Sequence, residues 1–413
     1  MIILRVIASI TVLLFLAWLT SENRKAFSKR YVAGGLILQV LVLIVFVKIP
    51  FLVELLSPIN YLVSLVQESS LEGARFMFGY LAGGPTPFEV KNASAEFIIA
   101  FRVLPMIVVV SALSAILFHL KILPLLIRGI ARILSKTFKI SSVLAFGASS
   151  TIFLGTIEAP LLIKPYLSQL TRSQLFALIT CTMSTVSGTV MVLYASVLDS
   201  VVPNATLHLL VASLVSVPAA MILAHITIPE SEVPATSSTN TKLTVSDSEE
   251  TFVEALMRGT FEGIQMTINI AGIIVCFFAL IFLVNKGLHG AGIEHTLQSI
   301  IGILFRPLLF LTGIPWSETS FASELMGTKI VLNEFVAYMD LQKYSGQMSE
   351  SSKLIMTYNL CGFANIASVG IVIGGLSTIL PQRKSEIIQL TLRSLLTGNL
   401  VVLMTGTLIG FLI

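Results

Sequence analysis

Residues 327–338 read Gly-Thr-Lys-Ile-Val-Leu-Asn-Glu-Phe-Val-Ala-Tyr and lie inside a hydrophobic region, about 294 to 350, that carries a glutamate near its middle. Glycine, serine, threonine and proline also interrupt this region. An ionised carboxylate at the centre of a lipid bilayer costs at least about 2.5 kcal/mol. Irregular backbone at that depth is stable only where protein or a water-filled cavity surrounds it. We therefore predict a re-entrant hairpin here rather than a straight membrane span.

The composition places the whole chain in a membrane. Its 413 residues are 55% hydrophobic and only 12% charged, whereas a typical soluble protein is about 25% charged. Such a chain buries its apolar surface in the lipid bilayer, so we expect several spanning helices. The net charge of +4 is small and requires no nucleic-acid partner. Three cysteines lie in apolar segments without a CxxC pattern, which favours small buried side chains over a disulfide or zinc site: Cys181, Cys276 and Cys361.

Eight apolar runs are long enough to cross a bilayer. They cover about 2–20, 31–53, 96–119, 174–199, 205–227, 264–285, 354–380 and 389–413. The first run has no clear signal-peptide cleavage site, so we interpret it as a retained helix. Residues 54–80 mix charged and apolar side chains at near-helical spacing, which is typical of an amphipathic helix at the membrane interface. Together these features predict an all-α polytopic membrane protein.

A second interrupted region runs from about 121 to 170 and carries Gly-Thr-Ile-Glu-Ala-Pro at 155–160. In each half of the chain a polar break in an apolar helix follows about 30 residues after the carboxylate. The breaks read Ser-Thr-Val-Ser-Gly-Thr at 184–189 and Cys-Gly-Phe-Ala-Asn-Ile-Ala-Ser at 361–368. Hairpins that open to opposite sides form inverted repeats, which in secondary transporters place solute and ion near the midplane. The alternative is that the small residues only let helices pack closely.

Basic clusters predict the orientation. They lie at 24–30, 128–139, 164–172 and 383–384, and all fall on the cytoplasmic side if the N-terminus is outside. We therefore place both termini on the outer side of the membrane. The expected organisation is a scaffold with the interfacial helix at 1–120, a first repeat at 121–227, a polar cytoplasmic connector at 228–258, and a second half with a span, hairpin, broken helix and final span at 259–413.

Glu158 and Glu334 are the carboxylates of the two interrupted regions, and at membrane depth each requires a partner or a polar cavity. We expect them to surround one wet, solute-sized pocket between the mirrored halves. The alternative is a structural ion pair with a lysine that is near in sequence, Lys164 or Lys329. A structure that separated the two glutamates, or sealed them against basic neighbours, would contradict the carrier hypothesis.

Four motifs occur in order along nearly the whole chain. They are Phe-Arg-Val-Leu-Pro at 101–105, Gly-x-x-Glu-Ala-Pro at 155–160, Gly-Thr-Lys-Ile-Val-Leu-Asn-Glu-Phe-Val-Ala-Tyr at 327–338 and Leu-Cys-Gly-Phe-Ala-Asn at 360–365. Together they resemble the signatures of the concentrative nucleoside transporters. The resemblance implies a homotrimer whose protomers have eight spans, an interfacial helix and two re-entrant hairpins. It implies import of nucleosides with Na⁺ or H⁺ as coupling ion and no other cofactor.

The resemblance also assigns roles to individual residues. Carboxylate, amide and hydroxyl groups bond sugar hydroxyls well, and on the ribose side it implies Glu334, Asn365 and Ser368, with Phe363 lining the same pocket. On the nucleobase side it implies Gly155, Thr156, Ile157, Glu158 and Val190. For Na⁺ it implies Thr151 and Thr185 together with the carbonyls of Leu154 and Val186.

Three positions depart from the family pattern. Thr156 and Ile157 stand where the family commonly has Gln and Thr, so the second position has lost its hydrogen-bonding group. Loss of paired polar groups changes specificity strongly, so we expect an altered base preference. Thr151 stands where sodium-coupled members carry Asn. Its hydroxyl still offers an oxygen to Na⁺, and H⁺ coupling through Glu158 or Glu334 is the alternative.

Other functions have less support in the sequence. It contains no GxxxxGK[ST] motif for ATP, no HExxH and no GxSxG. An intramembrane enzyme would have to use the two glutamates as acid and base. A passive channel would also need intramembrane polar residues, and a carrier of another small solute would share the architecture. Broken helices in inverted repeats favour alternating access by an elevator-like or rocking movement, so we expect an ion-coupled carrier and not an enzyme.

Overall fold

The computed structural model describes residues 2–91, 97–231 and 250–413, and the regular structure in these ranges is entirely helical. Six helices, or helices joined end to end, are long and apolar enough to cross a membrane by length and composition. Three shorter apolar helices accompany them in the described ranges. The predicted class, an all-α polytopic membrane protein, is confirmed.

The described part of the chain up to residue 231 forms α1 to α12. Their bounds are α1 Ile2–Leu19, α2 Lys29–Lys48, α3 Pro50–Phe78, α4 Ile99–Arg102, α5 Pro105–His119, α6 Ile122–Phe138, α7 Ser142–Ser150, α8 Glu158–Leu161, α9 Lys164–Leu167, α10 Arg172–Ser184, α11 Gly188–Leu198 and α12 Ala205–Thr227. α3 coincides with the predicted amphipathic helix at 54–80 and exposes large apolar side chains such as Phe76 and Met77.

The remainder of the chain forms α13 to α19. Their bounds are α13 Phe252–Gly290, α14 Leu297–Thr312, α15 Thr319–Val331, α16 Glu334–Tyr344, α17 Glu350–Leu360, α18 Ile366–Ile379 and α19 Lys384–Leu412. α13 begins at Phe252, inside the range predicted for the connector, because Thr251 and Glu254 form a capping box at its N-terminus. Residues 232–249 of the predicted connector lie outside the described residues.

Each interrupted region contains a helical hairpin whose tip carries one of the two carboxylates. In the first hairpin, α7 leads into residues 151–157 and the chain returns through α8 and α9. The two arms are in contact, since a Cβ atom on Gly147 would lie 2.7 Å from the Cδ1 atom of Ile163. In the second hairpin, α15 and α16 join at Leu332 and Asn333. Two hairpins were predicted at these places, and their depth in the membrane stays a prediction.

A further helix, α14, supports the second hairpin by packing very closely against α15. A Cβ atom on Gly302 would lie 2.2 Å from the carbonyl oxygen of Ser323, and one on Gly327 would lie 1.9 Å from that of Gln298. Real Cβ atoms do not approach other atoms to such distances, so both contacts require glycine. The second hairpin is therefore held against α14 by backbone-to-backbone contact.

The interior of the protein is formed mainly by α10, α11, α12 and α19. In the apolar 18-residue window of each span, 89% of the residues from α10 through α11 and 83% of those in α12 are buried, whereas only 6% of those in α13 are buried. α13 is attached through α5, where Gly259 and Gly263 allow close approach. A Cβ atom on Gly259 would lie 2.6 Å from the Cβ of Ala115, and one on Gly263 would lie 2.6 Å from the Cα of Val108. These contacts fix the rotation of α13 about its own axis.

Candidate solute-binding site

The break between α10 and α11 receives the tip of the first hairpin. Thr185 and Ser187 have extended backbone there, and α11 begins at Gly188. The main-chain N–H of Gly188 donates to the carbonyl of Phe153 at 3.1 Å. A Cβ atom on Gly188 would lie 3.3 Å from the same carbonyl oxygen, so glycine permits this approach. The break and the hairpin tip are thus joined at the point where helix-terminal polar groups lack intrahelical partners.

Two asparagines cap the N-termini of α16 and α18, the helices at the second hairpin and the second break. Asn333 caps α16, where its Oδ1 accepts from the N–H of Val336 at 2.9 Å. Asn365 caps α18, where its Oδ1 accepts from the N–H of Ser368 at 2.7 Å. Because this capping bond fixes the amide, the Nδ2 group of Asn365 points the other way and donates to Oε2 of Glu334 at 2.8 Å. The residue that caps α18 therefore also directs a hydrogen-bond donor toward the carboxylate of Glu334.

Glu334 is a buried carboxylate, with only 3% of its surface exposed. Its Oε1 accepts a hydrogen bond from the hydroxyl of Tyr194, on α11, and its Oε2 accepts from Asn365. Lys329, the alternative partner in the sequence, donates instead to the carbonyl of Asn359 at 3.0 Å. Within the described ranges, the ion pairs do not include Glu334. Neutral donors form the side-chain hydrogen bonds of this carboxylate, and the buried ammonium of Lys329 attracts it without a direct ion pair.

Glu158 begins α8 at the tip of the first hairpin. Its Oε2 accepts from the main-chain N–H of Gly155 at 2.9 Å, and the side chain is exposed. Lys164 is exposed on α9, and the ion pairs between described residues do not join it to Glu158. Ile157 lies against α18, since a Cβ atom on Gly375 would lie 2.6 Å from its Cδ1 and Cγ1 atoms.

One cavity of about 900 Å³ joins the two hairpins and the two helix breaks. Its volume lies within the range of small-molecule sites. Both glutamates line it, so the arrangement that would have contradicted a carrier is absent from the described part of the chain. All residues predicted for the solute also line it: Gly155, Thr156, Ile157, Glu158, Val190, Glu334, Phe363, Asn365 and Ser368.

Two parts of the cavity wall were not predicted from the sequence. One is Tyr194, which lies on the helix after the first break and bonds Glu334. The other is a face of α13 that contributes Glu262, Gln265 and Asn269. Polar residues at positions i, i+3 and i+7 of an otherwise apolar span share one helix face. This spacing in the sequence could have predicted the polar face of α13.

The four residues predicted for Na⁺ lie beside the first break. The hydroxyl of Thr185 donates to the carbonyls of Thr151 and Cys181 at 3.1 and 2.9 Å. The carbonyl of Val186 accepts from the hydroxyl of Ser213 at 3.3 Å. Leu154 precedes the glycine of the hairpin tip. The site thus offers neutral oxygens, and in the described ranges no cluster of three or more His, Cys, Asp or Glu residues is placed to hold a metal ion.

Comparisons with known proteins agree with this architecture. Family models described as "Na+ dependent nucleoside transporter N-terminus", "Nucleoside recognition" and "Na+ dependent nucleoside transporter C-terminus" match residues 8–81, 100–201 and 208–410. Nucleoside permease NupC of Helicobacter pylori is 34% identical over 98% of this chain and 97% of its own length. Solute carrier family 28 member 3 of Homo sapiens is 32% identical over 98% of this chain and 63% of its own length.

A solved structure extends the comparison to three dimensions. The structure of CNTnw in an inward-facing substrate-bound state matches with a TM-score of 0.89 at 33% identity, covering 100% of this chain and 98% of that chain. Full-length similarity in sequence and in fold therefore accompanies the family motifs. The chain belongs to the concentrative nucleoside transporter family, a family of multi-pass, Na⁺-dependent membrane carriers.

Proposed function

We propose that this protein is a secondary active importer that binds a nucleoside in the cavity between its hairpins and is driven by a Na⁺ or H⁺ gradient. The observation that carries the proposal is the Glu334–Asn365 pair, a buried carboxylate held by a capping amide at the wall of a 900 Å³ cavity. The similarity to a nucleoside permease and the match to family models of Na⁺-dependent nucleoside transporters support the same substrate class.

We assign the ribose to the end of the cavity at Glu334. A carboxylate has about four lone-pair positions, and Tyr194 and Asn365 use two of them. The remaining two suit sugar hydroxyls, which are both donors and acceptors. Ser368 adds a hydroxyl in the first turn of α18, and Phe363 adds an aromatic ring at the break.

We assign the nucleobase to the wall formed by Gly155, Thr156, Ile157, Glu158 and Val190. Glu158 exposes its carboxylate to the cavity, but Ile157 presents only carbon atoms and lies against Gly375. This wall therefore offers fewer hydrogen-bonding groups than the common family pattern. An altered base preference follows, because a base edge that loses its partners is desolvated without compensation.

The coupling ion is assigned to the first break. Thr151, Leu154, Thr185 and Val186 offer neutral hydroxyl and carbonyl oxygens beside interrupted helices, which is how secondary transporters coordinate Na⁺. Glu158 and Glu334 are the alternative carriers of the coupling charge if the ion is H⁺. Substitution of Thr185 by Val separates these cases, because it removes an oxygen and retains the side-chain shape.

The proposed setting is the plasma (inner) membrane of a bacterium, with both termini outside and three protomers in the assembly. The exposed side chains of α13 support both lipid and protomer contact, since Val275, Phe282 and Leu283 are each more than 60% exposed. Within each protomer, the hairpins and broken helices would carry the solute past a stationary scaffold that includes α3, α5 and α13.

Uptake by purified protein in proteoliposomes tests this function. Labelled uridine, inosine and adenosine are supplied with a Na⁺ or an H⁺ gradient imposed separately. We expect accumulation above the external concentration with one gradient and its loss when that gradient is collapsed. Equilibration without accumulation would indicate a channel, chemical change of the solute an enzyme, and no uptake of any nucleoside a different solute. Under Na⁺ coupling, Thr185→Val should raise the Na⁺ concentration for half-maximal uptake, whereas H⁺-driven uptake should be unaffected.

A further inference from the structure

We propose that an amide pair on α13, Gln265 and Asn269, hydrogen-bonds the nucleobase from the scaffold side of the cavity. The proposal rests on the proposed function and identifies a specificity-determining element that lies outside both hairpins and both helix breaks. The two side chains line the same cavity as Glu158 and Glu334. Both are exposed, so a solute in the cavity can reach them.

The orientation of this pair is set by the packing of α13. Gly259 and Gly263 hold one side of the helix against α5 at distances that no other residue type allows. At 100° per residue, Glu262, Gln265 and Asn269 lie within about 60° of one another on the helix surface. A helix that cannot rotate therefore presents these polar groups to the cavity in the conformation of this structure. Apolar residues occupy much of the rest of its exposed surface, including Ile264 and Ile268.

The pair is pre-organised and retains free hydrogen-bonding capacity. The Nε2 group of Gln265 donates to the Oδ1 atom of Asn269 at 2.9 Å. This bond leaves the Oε1 atom of Gln265 as an acceptor and the Nδ2 group of Asn269 as a donor. An acceptor beside a donor is the complement of a base edge on which an N–H adjoins a C=O, as in uracil or hypoxanthine. If both amide groups rotate by 180°, Gln265 becomes the free donor and Asn269 the free acceptor. The pair can then also bond a base edge on which the donor and acceptor positions are exchanged.

Most other polar groups of the cavity are already engaged. Asn333 and Asn365 are helix caps, and Tyr194 bonds Glu334. Glu262, beside the pair on α13, forms an ion pair with Arg258 at 3.1 Å. Ile157, at a position that commonly hydrogen-bonds in the family, lies against α18 instead. A nucleobase in this cavity therefore finds its uncommitted amide partners on α13.

Transport of matched nucleoside pairs tests the proposal. Uridine is compared with 3-methyluridine, and inosine with 1-methylinosine, because methylation removes the N–H and leaves the ring shape nearly unchanged. Wild-type protein should prefer the unmethylated member. Gln265→Met keeps the volume and removes the C=O and NH₂ groups of the side-chain amide, so it should raise the KM for uridine or inosine about tenfold, as expected for one to two lost hydrogen bonds. The methylated analogues should change little, so their disadvantage should disappear.

Controls separate the possible failures. Gln342→Met makes the same chemical change on α16, where Gln342 bonds Ser200 outside the cavity, and it should leave both ratios unchanged. Asn269→Leu tests the pair independently, and thermal unfolding in detergent checks that each variant is folded. Folded variants that keep the wild-type preference for the unmethylated base would overturn the role of α13. Absence of nucleoside uptake by wild-type protein would instead refute the proposed function itself.

Discussion

Replacement of Glu334 by Gln is the sharpest test of the ribose site, because it changes one atom of a buried group and keeps its shape. In the structure one carboxylate oxygen accepts from the Tyr194 hydroxyl and the other from Asn365 Nδ2 at 2.8 Å. Glutamine offers one oxygen and one NH₂ group. If the oxygen faces Asn365, the hydroxyl of Tyr194 must turn to accept, and the acceptors that remain for sugar hydroxyls are reduced.

The expected magnitude follows from the kind of bond that is lost. A hydrogen bond to a charged group contributes about 1.5–3 kcal/mol, which corresponds to a loss of about 10- to 150-fold in affinity. At solute concentrations near the wild-type KM, uptake should therefore fall about 5- to 75-fold. The helix cap itself should survive, because the Oδ1 atom of Asn365 accepts from Ser368 without help from Glu334. The protein should fold, with at most a small decrease in melting temperature.

Nucleoside uptake in proteoliposomes and binding to detergent-purified protein measure the two effects. Glu318→Gln is the matched control, because Glu318 also accepts two hydrogen bonds, from the N–H and hydroxyl of Ser349, but lies outside the cavity. It should transport normally. A folded Glu334→Gln protein with an affinity within twofold of wild type would refute the assignment of the sugar to this carboxylate.

Three further outcomes are expected. Gly327→Ala should lower the melting temperature and the yield of folded protein, because the new methyl group would lie 1.9 Å from an α14 carbonyl oxygen. Overpacking of this kind costs about 1–3 kcal/mol or more. Unchanged stability would contradict the close packing of α14 and α15. Arg172 holds the pKa of Glu22, in the loop after α1, below its ordinary value of 4.5. The stability contributed by the Glu22–Arg172 pair is therefore present above pH 4.5 and is lost as the pH falls through the lowered pKa of Glu22. The melting temperature of the wild-type protein should fall more steeply below pH 4.5 than that of Glu22→Gln. Parallel curves of melting temperature against pH would contradict a stabilising role of this pair. The double change Thr156→Gln and Ile157→Thr should shift the base preference in a competition panel, and an unchanged profile would mean that the base is bound elsewhere.

The helical class and the position of most elements could be predicted from the sequence. A bilayer-length apolar run has few alternatives to a helix, because every backbone group in lipid needs a partner within the segment. The interrupted regions could be predicted for the complementary reason, since glutamate, glycine and proline at membrane depth are incompatible with a simple span. The start of α13 was misjudged because Thr251 and Glu254 lie in polar sequence, where a capping box is easily taken for part of a connector.

For the site as well, some features follow from the sequence and others only from the tertiary structure. The sequence alone determined that Glu158 and Glu334 require a polar environment, because the cost of an unpaired charge in lipid holds in any fold. Tertiary structure decided what the environment of Glu334 is: hydrogen bonds from Tyr194 and Asn365 rather than a direct ion pair with Lys329. It also decided that α13 completes the cavity wall. Periodicity reveals that one face of α13 is polar, but only the glycine contacts with α5 determine what that face points toward.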